Sequence, residues 1–123
     1  VLDVAKYFRN PANVVELAAG ERLFSQGDVG ETMYAVLEGT LDIIIDDTVV
    51  DQASAGRLVG EMAIIESAPR SATVVAVTPC QLAPVDRRHF LFLVHETPTF
   101  AVDVMREMAE RLRHAHGDIT QFG

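Results

Sequence analysis

Apolar residues recur at helical spacing from Val1 to Phe8 and stop at Asn10-Pro11, which predicts a short N-terminal helix within residues 1–10. From Val14 to Asp86 the pattern changes to short apolar runs cut by turn residues: Gly20-Glu21, Gln26-Gly27-Asp28, Glu38-Gly39, Asp46-Asp47, Ala55-Gly56 and Thr78-Pro79. The runs between them are rich in strand-forming residues: Met33 to Leu37, Leu41 to Ile45, Thr73 to Val77 and Leu82 to Val85. Many short strands punctuated by turns predict a sandwich or barrel over residues 14–86. The pattern turns helical again at Arg87–His95. Thr97-Pro98 then reads as a cap followed by a first-turn proline. Phe100, Ala101, Val104, Met105, Met108, Ala109 and Leu112 continue at helical spacing, with Gly117 as the expected stop. Ala101, Met105, Met108 and Leu112 suit packing against another helix, while Arg106, Glu107, Glu110, Arg111 and Arg113 read as the solvated side.

The length of 123 residues predicts one domain, with 49% hydrophobic residues to supply its core. A net charge of −8 makes it a poor nucleic-acid binder and requires any anion site to be built locally, against the overall field. No apolar run approaches the roughly 20 residues of a membrane helix, so no membrane partner is expected. The single Cys80 leaves no internal disulfide and fits a reducing, cytoplasmic setting, with a buried structural role as the default. The chain starts at Val1 rather than methionine, as a processed or excised piece would.

One stretch carries chemistry. It reads Gly60-Glu61-Met62-Ala63-Ile64-Ile65, then Pro69-Arg70-Ser71-Ala72-Thr73. Glycine lets backbone approach a ligand closely, free N–H groups at a helix start favour an anion, and arginine offers a planar fork matched to phosphate oxygens. Glu61 would repel a phosphate, so a sugar hydroxyl is its better partner. Taken singly, Glu61 reads as an acid stabilising a helix start, and Arg70 as a surface residue or half of an ion pair with Glu61 or Glu66. The ordered set favours the ligand.

The stretch resembles the phosphate-binding cassette of the cyclic nucleotide-binding domain family, with Val59 where an aromatic residue is usual. The runs Gly20–Asp28 and Met33–Gly39 are similar to that family's turns, so the resemblance covers roughly Gly20 to Phe90. It implies a mainly β fold, a jelly-roll-type β-roll, interrupted within cassette residues 59–74 by a short helix over Glu61–Ile65. N-terminal and C-terminal helices flank the roll, with residues 87–117 forming a hinge and a lid. It further implies a non-catalytic sensor of cAMP, less favourably cGMP. The ligand would be held by Gly60, Glu61, Met62, Ala63, Arg70, Ser71 and Ala72, with a hinge between His95 and Thr99. Ser71 carries a hydroxyl able to serve either base.

Metal catalysis of the cupin type would need histidines converging within the strands. His89, His95, His114 and His116 all follow them, so no metal, cofactor or catalytic residue is expected. A second copy or a partner protein on the C-terminal helix is the expected output. The alternatives are a scaffold module that has lost its ligand, or the effector domain of a larger transcription regulator or channel.

Overall fold

The computed structural model describes residues 2–8 and 13–115. Eight strands form two antiparallel four-stranded sheets. The first has the order β1 (Val15–Leu17), β8 (Cys80–Asp86), β3 (Thr32–Glu38), β6 (Leu58–Val59). The second has the order β2 (Arg22–Phe24), β7 (Thr73–Ala76), β4 (Leu41–Ile45), β5 (Thr48–Ala53). Helix α1 (Val4–Tyr7) precedes the sheets, α2 (Met62–Ile65) lies between β6 and β7, and α3 (Arg87–Glu96) and α4 (Thr99–Ala115) follow them. This is the expected mainly β roll with helices on its flanks.

Strands β3 and β8 read as nearly continuous apolar runs because both of their faces are covered. Alternate residues go to different cores. Met33 and Ala35 of β3, with Ala83 and Val85 of β8, pack towards the helices. Val36 and Leu41, with Cys80 and Leu82, fill the space between the sheets. Burial raises the Cys80 thiol above its ordinary pKa, which suits a packing residue and not a nucleophile.

The helix-side core is keyed by Phe100, which has no exposed surface. Tyr7, Phe8 and Phe90 meet its ring edge-on at centroid distances of 4.8, 6.4 and 5.5 Å. The first helix is shorter than the pattern predicts. Its single turn is capped by the Asp3 side chain, which accepts from the Lys6 N–H, and it ends at Phe8, which turns into the core. Chain direction breaks between α3 and α4 at Thr97-Pro98, and α4 starts at Thr99. The expected stop at Gly117 lies outside the described residues.

The buried face of α4 differs from the expected one. Phe100, Val104 and Glu107 point inwards, Met108 packs beside them, and Met105 is 60% exposed with Leu112 also on the outside. Glu107 is a core position and Arg111 is half-buried, so these two charges leave the solvated side assigned to them. A charge pattern alone hides this, because it does not reveal which acidic residues find buried partners.

Candidate functional site

The chain leaves the first sheet at Val59 and joins the second at Thr73, and the crossing from Gly60 to Ala72 holds every expected ligand residue. Gly60 has φ +75°, a conformation that favours glycine, and a Cβ there would stand 2.5 Å from Arg70 Nη1. Arg70 is anchored through its backbone: its N–H donates to the Asp28 carbonyl and its carbonyl accepts from the Gly27 N–H, both at 2.8 Å. The side chain is only 7% exposed. Its guanidinium lies 4.1 Å from the centroid of the Phe24 ring, and Nη1 donates to the Gly60 carbonyl at 3.3 Å.

Arg70 is buried and no ion pair to it exists among the described residues, so neither alternative reading, a surface residue or a partner of Glu61 or Glu66, describes it. Burial lowers its pKa, opposed by Tyr34 and Asp28, yet a guanidinium stays protonated in proteins. A buried cation with one weak neutral acceptor is costly and has most of its donors to offer. That is the electrostatic form of an anion site.

Glu61 is 5% exposed and makes no cap bond to the α2 backbone, so it is not merely the acid at a helix start. Its Oε1 pairs instead with Nη1 of Arg111 on α4. Arg111 also donates to the Leu58 carbonyl, and to Glu107 Oε2 at 3.2 Å. The N–H of Ala63, one of the implied ligand residues, donates to the Gly60 carbonyl at 3.2 Å.

Gly60, Glu61, Met62, Ala63, Arg70, Ser71 and Ala72 line one cleft of about 60 Å³, together with Phe24, Pro69 and Arg111. A neighbouring groove of about 440 Å³ shares Ile43, Glu61, Ser71, Ala72 and Arg111 and runs between β4–β5 and α4 past Val50, Met108 and Leu112. The cleft alone is below the few hundred Å³ of a usual small-molecule site, whereas cleft and groove together reach that range. Thr73 stays a strand residue, its Oγ1 accepting from the Gln26 N–H at 2.8 Å.

Sequence reasoning missed Gly30, Arg57, Glu107 and Arg111. Only Gly30 left a usable trace, as a glycine shortly after the Gly27 turn. A Cβ on Gly30 would lie 2.5 Å from Arg70 Nη2 and 2.8 Å from Cζ, and its backbone φ is not one reserved for glycine. Gly30→Ala should therefore displace the guanidinium while leaving the fold intact, and lower ligand affinity by about tenfold or more in a binding titration. Affinity within twofold of wild type would show that the arginine can shift without consequence.

The fold is a β-roll with a cleft at the crossing between its sheets. The cyclic nucleotide-binding domain profile matches residues 14–97, and the chain belongs to that family. It is 42% identical over 72 residues to a cAMP-dependent protein kinase regulatory subunit of Yarrowia lipolytica, covering 58% of this chain and 19% of the relative. It is 32% identical over 104 residues to the lysophospholipase nte1 of Aspergillus oryzae, covering 80% of this chain and 7% of that protein. Among solved structures, the catabolite activator protein of Thermus thermophilus superposes with a TM-score of 0.74 at 28% identity, over 85% of this chain and 51% of that one. The chain thus spans under a fifth of the length of these two relatives. No described helix is long and apolar enough to cross a membrane.

Proposed function

We propose that this domain is a non-catalytic cyclic nucleotide sensor that favours cAMP. The observation that carries the reading is the Arg70 guanidinium, buried at the cassette with no anionic partner among the described residues. A cyclic phosphate supplies the missing charge. Glu61 uses one carboxylate oxygen for Arg111, and its other oxygen is the acceptor for a ribose hydroxyl. The purine then lies along the groove, against Ile43, Val50, Met108 and Leu112, with the Ser71 backbone and hydroxyl at the junction. Asp51 and Arg57, also on the groove wall, are engaged with each other in an ion pair, so the base meets mainly apolar side chains, and one relative is named for cAMP dependence.

Occupancy is relayed because the site shares Arg111 with α4: a ribose hydroxyl on the second Glu61 oxygen, with Arg111 kept on the first, changes how tightly the helix is held. Such a ligand shifts the helix only by its difference in affinity between the two arrangements. The output surface is the outer side of α4, where Val102 and Met105 stand exposed for a second copy or a partner protein. A scaffold that has lost its ligand would gain nothing from a buried unpaired arginine.

Calorimetry with cAMP and cGMP in parallel tests the reading. Saturable binding of cAMP, with cGMP equal or weaker, is expected. Failure of both to bind would leave the scaffold reading, and a strong cGMP preference would overturn the base assignment alone.

A further inference from the structure

We infer that Glu107, seconded by Arg57, is a positioning residue for sugar recognition: it aims Arg111, and through it Glu61, without touching the ligand. The inference rests on the reading that Glu61 receives the ribose hydroxyl. Glu107 is a carboxylate with 1% exposure in the apolar side of α4, beside Val104 and Met108. Both of its oxygens are committed. Oε1 accepts from Arg57 Nε at 2.5 Å, and Oε2 from Arg111 Nη2 at 3.2 Å. Arg57 is itself held on its far side by Asp51 Oδ2 at 3.3 Å.

The two ends of this chain of charges lie on the same short segment. Arg57 precedes β6 and Glu61 follows it, while Glu107 and Arg111 sit one turn apart on α4. An apolar side chain would bury at position 107 with less desolvation, so core stability alone does not explain a glutamate there. Its two arginine partners do. Arg111 is a long side chain, 27% exposed, with an easy route to solvent. Glu107 on one side and the Leu58 carbonyl on another hold it in the single orientation that meets Glu61 Oε1. The second Glu61 oxygen is thereby presented to the cleft, and a charged acceptor aimed in advance gains most from one donated hydrogen bond. Arg70 is no member of this network, so phosphate capture should not depend on it.

The test is a titration of wild type and Glu107→Gln with cAMP and with 2′-deoxy-cAMP, with melting curves to establish folding. Wild type is expected to prefer cAMP by tenfold or more. The variant should lose about tenfold for cAMP, the coupling typical of neighbours in one ion-pair network, and less than about twofold for the deoxy analogue. The preference then collapses. Equal weakening of both nucleotides, or an unchanged preference, overturns the positioning role. Absence of any preference in the wild type overturns the ribose reading, and this inference with it, by a separate and recognisable result. Should Glu107→Gln not fold, Arg57→Gln at the more exposed end carries the same test: the preference contracts several-fold, and an unchanged preference overturns the inference.

Discussion

Arg70→Ala is expected to abolish cyclic nucleotide binding at working concentrations while the domain stays folded. Removing one partner of a buried charge pair costs about 2–5 kcal/mol of binding, and each ~1.4 kcal/mol is tenfold in affinity. The free protein behaves differently from the complex. Its Arg70 is desolvated against the Phe24 ring and one carbonyl with no ion pair among the described residues, so truncation relieves a buried charge as well as removing packing. The melting temperature without ligand should therefore hold or rise, while the shift produced by cAMP vanishes. Arg70→Lys should recover only part of the affinity, because an ammonium lacks the planar fork. Unchanged cAMP affinity in a folded Arg70→Ala protein would sink the site assignment.

Phe100→Ala should cost about 3–5 kcal/mol of stability, the range for emptying a buried phenylalanine site. The ring has no exposed surface and meets three aromatic rings from two other segments, so no single neighbour can move in to fill the space. Urea unfolding of the ligand-free domain measures it. A loss below ~1 kcal/mol would mean that α4 is not part of the cooperative core. The same variant loosens the start of the helix that carries Arg111, so sugar discrimination should weaken alongside stability.

Legibility followed burial. The runs that became β3, β4, β7 and β8 are apolar because they are covered, and their positions could be read to within a few residues. Strand β5, Thr48–Ala53, was not among the expected runs: it lies at a sheet edge with Val49 and Val50 in solvent and Asp51 between the apolar positions. Strands β1, β2 and β6 span three, three and two residues, too short for any periodicity. The cassette residues were legible because one continuous stretch, from Gly60 to Ala72, supplies most of the cleft lining. The α4 charges were not. Glu107 and Arg111 look like any solvated pair one turn apart until the fold brings Arg57 and Glu61 against them.

That meeting also works as a register key. Arg57 and Glu61 face Glu107 and Arg111 in matched order, opposite sign against opposite sign. Sliding α4 by one turn in one direction would set Glu107 against Glu61. Sliding it the other way would set Arg111 against Arg57. Either step places like charges together in a partly dry interface, where repulsion is strong. The matched pairs therefore penalise a one-turn slide of α4 along the seam while leaving a tilt about it less opposed.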